Sequence, residues 1–206
     1  WWGGEVPSGH SFLVRSDLAV PPVSEASTGG SPGEVSIVTF ASRIARMKGL
    51  DEAIKLMAGL TDPYQFEIRG VVRDAKYWES CKRAAAAELG EANYQFKGQY
   101  TPPEAQEIFS RSALLLLPTR GENFGHVIAE ALSVGCPVLI SDTTPWTPVV
   151  EDGAGAILRD TASAHRFIHE VLTESPEARE RRREGVLAAY RRWFSANQDS
   201  SSLFGA

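Results

Sequence analysis

Short, wholly apolar runs alternate along the chain with longer stretches in which apolar residues return every three or four positions, a pattern that predicts strands followed by helices. A strand is expected from Val35 to Phe40, a helix over about Leu50 to Leu60, a strand from Gln65 to Arg69, a helix over about Lys76 to Leu89 and a strand from Tyr94 to Phe96. Pro102 and Pro103 suit the first turn of the next helix. Ala113-Leu114-Leu115-Leu116-Leu117 is too continuous for a half-exposed antiparallel strand and reads as a parallel strand covered on both faces, ended by Pro118. Beyond it Val127, Ile128, Ala131, Leu132 and Val134 recur at helical spacing until Gly135 and Pro137 stop the helix, and Pro137 to Ile140 forms another buried strand. A short strand near Ala156 to Leu158 and two helices, about Ala162 to Thr173 and Pro176 to Phe194, complete the pattern. Repeated βα units predict an α/β fold, a doubly wound, Rossmann-like parallel sheet with helices on both faces.

That domain is expected over residues 35–194. Residues 1–34 show little periodicity, and Ser24 to Gly33 is rich in Ser, Gly, Thr and Pro, so the segment reads as a linker and the remnant of a preceding domain. Trp1, Trp2, Phe12 and Val14 are expected to be covered by that domain, and the absence of an initial methionine is read as the mark of a fragment. Residues 195–206 read as a flexible tail.

Composition narrows the class. At 206 residues, 43% apolar and 23% charged, the chain holds one sizeable core. A formal charge of −5 argues against a nucleic-acid partner. Cys81 and Cys136 fit no metal or redox spacing and suit small buried positions in a reducing cytoplasm. No apolar run reaches the roughly 18 residues of a membrane span, so a cytoplasmic location is expected, with peripheral attachment at an inner membrane face left open.

Two loops carry the chemistry. A helix beginning near Gly125 directs unpaired backbone N–H groups and its positive dipole end into the crevice at the strand's carboxyl edge, where a diphosphate can bind. Gly121 and Gly125 let that backbone come close. Glu130, in the first two helical turns, can accept hydrogen bonds from both hydroxyls of a ribose, and Glu122 can reach a sugar beyond the phosphates. Alone, two glutamates at this spacing read more simply as solvated residues; the strand–loop–helix context supplies the specificity. The other loop, Ala41 to Gly49, follows the first strand and carries Arg43 and Lys48. If the two strands are neighbours, these cations face the same crevice and neutralise a diphosphate; if not, they are ordinary solvated charges.

In order along the chain, Arg43-x4-Lys48-Gly49, the apolar strand ending in Pro118, Glu122-x7-Glu130 with Asn123-Phe124-Gly125 inside it, and Gly135-Cys136-Pro137-Val138 resemble the donor-binding, C-terminal domain of GT-B retaining glycosyltransferases of family 4. The resemblance implies that Arg43 and Lys48 contact the diphosphate of a nucleotide-sugar, Glu130 binds its ribose and Glu122 faces the donor sugar. It likewise assigns the backbone of Asn123, Phe124, Gly125, His126 and Val127 to the sugar hydroxyls and phosphate, with Arg43, Lys48 and Glu122 as the catalytic set. It implies transfer to an acceptor hydroxyl with retention at the anomeric carbon, no metal or organic cofactor, and an N-terminal acceptor-binding domain outside this sequence. The isolated chain is then expected to be inactive, and the acceptor, lipid-linked or saccharide, stays open. Two positions depart from the family pattern: Ser42 stands where a Gly commonly precedes the Arg, and Thr147-Pro148-Val149-Val150 lacks the Glu often seen after the Pro.

Alternative readings are a nucleotide-sugar epimerase or another GT-B enzyme, and a non-catalytic nucleotide-binding domain. A phosphorylase would need a lysine for pyridoxal phosphate, and none is convincingly flanked. His165 and His169 are expected on a surface face, since no third metal ligand is evident. Arg179, Arg181, Arg182, Arg183, Arg191 and Arg192, interleaved with glutamates, read as a solvated helix with i, i+4 pairing, and Trp193 and Phe194 as contacts to the missing domain.

Overall fold

In the computed structural model, residues 20–26 and 35–201 are described. Trp1, Trp2, Phe12, Val14 and most of the expected linker lie outside them. Six parallel strands form one sheet, β1 (Ser36–Ala41), β2 (Tyr64–Arg69), β3 (Tyr94–Gly98), β4 (Leu114–Leu117), β5 (Val138–Ile140) and β6 (Gly155–Ile157), in the order β3-β2-β1-β4-β5-β6. The helices are α1 (Leu50–Ala58), α2 (Ala75–Glu88), α3 (Pro102–Arg111), α4 (His126–Ser133), the single turn α5 (Thr147–Val149), α6 (Thr161–Thr173) and α7 (Pro176–Ser201). α1 packs with α2 and α6, while α3, α4 and α7 pack together, giving one helical layer on each face of the sheet.

The chain winds outward from β1 to β3, then crosses back to lay β4 against the other side of β1, with Val38 opposite Leu114 and Thr39 opposite Leu115. This reversal is the topological switch point, where ligands bind in open α/β sheets. Covered on both faces, β4 has all four leucines at 0% exposure, and each is worth about 2 kcal/mol of burial. β3 departs from that pattern, because it closes one edge of the sheet and the middle of its burial pattern is exposed.

Two helical segments were not legible in the apolar pattern. A 3₁₀ turn spans Arg46–Lys48, and α5 leads into an irregular helical turn over Val150–Ala154. α7 runs past Phe194 to Ser201, so the segment expected as a tail from Ser195 begins as helix, and residues 202–206 lie outside the described part.

The reading of α7 as a solvated arginine helix is corrected. Arg183 is 1% exposed, and its guanidinium donates to the carbonyls of Ser112 (2.7 Å), Phe109 (3.0 Å) and Val134 (3.4 Å), orphan acceptors at the ends of α3 and α4. Burial pushes its pKa down from the usual arginine value. Arg182 and Arg192 pair outside the helix, with Glu174 and Asp152, and Arg191 donates to the carbonyl of Val23. Trp193 is corrected likewise: it turns inward onto Trp146, with ring centroids 4.5 Å apart, and onto Tyr190 at 5.7 Å. Helical phase explains this, since Tyr190, Trp193 and Phe194 share one face. His165 is half-buried rather than on the surface, whereas exposed His169 places Nδ1 2.8 Å from the Asp62 carboxylate. Cys81 and Cys136 are buried free thiols that burial pushes up to about 11.

Candidate functional site

The loops after β1 and β4 emerge side by side because their strands are paired. Arg120 N donates to Met47 O (2.8 Å), Arg120 Nη1 to Arg46 O (3.1 Å), and Thr143 Oγ1, from the loop after β5, to Thr119 O (2.9 Å). Gly49 permits the contact. Its φ is 72°, and a Cβ there would lie 2.0 Å from the Pro118 carbonyl oxygen.

Between the loops lies a cavity of about 1170 Å³ lined by Arg43, Lys48, Glu122, Asn123, Phe124, Gly125, His126, Val127 and Glu130. All nine residues singled out in the sequence therefore share one hollow. Tyr100, Met47, Arg120 and Thr143 also line it.

The polar side chains differ in their surroundings. Lys48, carried inward by the 3₁₀ turn, is 5% exposed, and its ammonium is bound by both oxygens of the Glu122 carboxylate (2.8 Å to Oε2) and by Gly121 O (3.3 Å). Neither loop's sequence announces this ion pair. It neutralises Lys48 locally and leaves the exposed Arg43 as a cation outside the ion pairs found among the described residues. Arg120 is engaged by Asp51 at 3.4 Å.

α4 begins at Gly125 in left-handed conformation (φ 80°), with no side chain capping it, so its first-turn amides are open to a ligand. A Cβ at Gly125 would meet Ile128, Glu122 and Trp146 at 3.0 to 3.2 Å, which keeps this corner free of a side chain. The Phe124 carbonyl is taken by the indole N–H of Trp146, and the Phe124 ring sits between His126 (4.6 Å) and Trp146 (5.5 Å). Phe124 therefore offers a ligand its amide and ring edge.

Glu130 is half-buried on the second turn of α4, where Tyr100 Oη donates to its Oε2 at 3.0 Å. Burial raises the Glu130 pKa above the usual carboxylate value, with the Tyr100 hydroxyl and His126 acting in the opposite direction. The Tyr100 phenol is itself pushed up, first by burial and then by the Glu130 charge. Tyr100 was missed by sequence reasoning, although it follows β3 at the same carboxyl edge and precedes the Thr101–Glu104 capping box that starts α3. Trp146 was missed too, since nothing local links it to a loop 22 residues away. Among the described residues no group of three or more His, Cys, Asp or Glu is placed to hold a metal ion, and no helix is long and apolar enough to cross a membrane.

An all-parallel doubly wound sheet, with cations on one switch-point loop and carboxylates beside an uncapped helix start on the other, defines a domain of the Rossmann-like α/β class. Within that class the chain belongs to the glycosyl transferases group 1, whose family model matches residues 25–186. It is 30% identical over 148 residues to a D-inositol 3-phosphate glycosyltransferase of Nocardioides sp., covering 64% of this chain and 32% of that protein. It is also 30% identical over 161 residues to the protein of the same name from Nocardia farcinica, covering 74% of this chain and 35% of that one. The chain thus spans about a third of the length of the curated relatives it matches. Similar solved structures include sucrose-phosphate synthase from Thermosynechococcus elongatus (TM-score 0.72, 19% identity, 92% of this chain and 50% of that one). Anabaena HepE in complex with UDP and glucose is another (TM-score 0.71, 18% identity, 82% of this chain and 48% of that one).

Proposed function

We propose that this domain binds the donor in a retaining transfer of a sugar from a nucleoside diphosphate to an acceptor hydroxyl, the acceptor being held by a further domain of the full-length enzyme. The observation that carries the reading is the convergence of Arg43, the Lys48–Glu122 pair, the open start of α4 and Glu130 in one cavity at the switch point. The names of the similar proteins support it: two are glycosyltransferases, and the HepE structure contains UDP and glucose.

In this reading the α4 amides and Arg43 hold the diphosphate, Glu130 accepts hydrogen bonds from the ribose, and Glu122 faces the transferred sugar. The bond from the anomeric carbon to the phosphate oxygen breaks with its electron pair leaving on the diphosphate, while the acceptor oxygen bonds to that carbon and its proton passes to the departing diphosphate. Stabilising the developing negative charge is therefore the main electrostatic task. Lys48, tied to Glu122, is placed to swing its bonds toward the phosphate as negative charge develops. Because these groups supply the positive potential, the reaction needs no metal ion, and transfer by the full-length enzyme should proceed unchanged in excess EDTA; loss of activity restored by a divalent cation would reject that part.

The direct test is calorimetric titration of the full-length protein with UDP, GDP and ADP, followed by the same titration of Glu130→Ala. Loss of the charge-assisted hydrogen bonds to the ribose should weaken binding of the preferred diphosphate by about 1.5 to 3 kcal/mol, on the order of 10- to 100-fold. Equal affinity in the variant would remove Glu130 from the ribose. A protein that binds nucleotide but leaves every nucleotide-sugar intact, with or without acceptor, would be a binding domain and no enzyme.

A further inference from the structure

We infer that Tyr100 is the positioning residue of the ribose site: its hydroxyl pins the Glu130 carboxylate in the orientation that meets the vicinal hydroxyls of a nucleotide. The inference rests on the assignment of Glu130 to the ribose and adds to it a residue from a third strand-end loop.

Tyr100 Oη lies 3.0 Å from Glu130 Oε2, and both residues line the cavity. The tyrosine ring is fixed from behind: it stands edge-on to Phe109, with centroids 6.2 Å apart and planes at 90°, and Phe109 is 0% exposed in α3. Two prolines and a capping box, in which Thr101 N donates to Glu104 Oε2 at 2.7 Å, hold the start of α3 immediately beyond it. The hydroxyl is therefore delivered by a rigid element to a carboxylate on a different helix.

A glutamate side chain has several rotamers to lose when it engages a ligand, and a partner that has already restricted them lowers that loss. A carboxylate offers about four lone-pair directions. One is spent on Tyr100, which leaves enough for two ribose hydroxyls. The same hydrogen bond favours the ionised carboxylate against the burial that opposes it. The charged and titratable groups acting on Glu130 are Tyr100 from the loop before α3 and His126 from the first turn of α4, while Arg69 at the end of β2 acts on Tyr100.

The test uses the full-length protein, the best-binding nucleoside diphosphate of UDP, GDP and ADP, its 2′-deoxy counterpart, and inorganic pyrophosphate. Tyr100→Phe keeps the ring on Phe109 and removes only the hydroxyl. It should weaken the ribonucleotide about tenfold, bring the ribo-to-deoxy affinity ratio close to one, and leave pyrophosphate affinity unchanged. Its binding should also fail on acidification at a higher pH than in the parent protein, because an unassisted Glu130 protonates sooner.

Parent-like ribonucleotide affinity and discrimination in Tyr100→Phe would overturn the inference, as would an equal loss of pyrophosphate, which marks a general collapse of the cleft. Glu130→Gln separates this from the reading beneath it. If Glu130→Gln loses ribose discrimination while Tyr100→Phe keeps it, only the role of Tyr100 falls. If Glu130→Gln keeps discrimination, the ribose assignment falls and the role of Tyr100 with it.

Discussion

Replacing Lys48 by alanine in the full-length enzyme is expected to slow sugar transfer by roughly 100-fold, the equivalent of about 3 kcal/mol of barrier. The ammonium is the one cation of the cavity held almost out of water, at 5% exposure, so its field on a departing diphosphate is poorly screened. The loss has two sources that must be separated. Removing Lys48 takes a positive charge from the leaving group, and it also strands the Glu122 carboxylate, 12% exposed, without its partner. In the double variant Lys48→Ala, Glu122→Gln no charge is stranded, so the melting temperature should recover. The rate should stay well below that of Glu122→Gln alone, because the cation is still absent. Turnover at the parent level in Lys48→Ala, or a double variant as fast as Glu122→Gln alone, would show that Lys48 does not stabilise the leaving group.

Gly49→Ala should strongly destabilise the fold at the junction of the two site loops. At φ 72° an L-residue incurs about 1 to 2 kcal/mol of strain. The new Cβ would also stand 2.0 Å from the Pro118 oxygen, an overlap with backbone that no rotamer can relieve. Forcing the end of β4 aside adds about 1 to 3 kcal/mol, and a total near 3 kcal/mol should lower the melting temperature by about 10 °C in a domain of this size. Differential scanning calorimetry of parent and variant measures it. A shift of a degree or two would mean that the loops after β1 and β4 do not meet. Because Pro118 leads directly into the loop carrying Glu122, the variant that folds should also bind donor less well.

The parts of the architecture that depend on local pattern were legible in the chain. The run Leu114–Leu117 could only be a doubly covered strand, Pro118 and Gly135 mark its end and the end of the following helix, and the helical recurrence from Val127 to Val134 fixes the face that α4 buries. Placing Arg43 and Glu122 in one crevice needed only the further premise that β1 and β4 are adjacent, which the pairing of Val38 with Leu114 supplies.

What stayed hidden depends on distance in sequence. Lys48 and Glu122 lie 74 residues apart, Tyr100 and Glu130 lie 30 apart, and no periodicity reports which side chain meets which across two loops. Arg183 misled for a related reason. Its neighbours Arg181, Arg182 and Glu184 are those of a solvated helix, and only the packing of α7 onto the ends of α3 and α4 makes it a buried donor to three carbonyls. The 3₁₀ turn at Arg46–Lys48 is too short to leave a period, yet it is what carries Lys48 inward.

The bonds that join Met47 to Arg120 and Thr119 to Thr143 have a mechanical implication. Three strand-end loops spliced in this way move as one body, and neither glutamate-bearing nor arginine-bearing segment can flap independently over an incoming molecule. The rim then behaves as a stiff anvil, and an incoming molecule has to fit a hollow whose walls are already set.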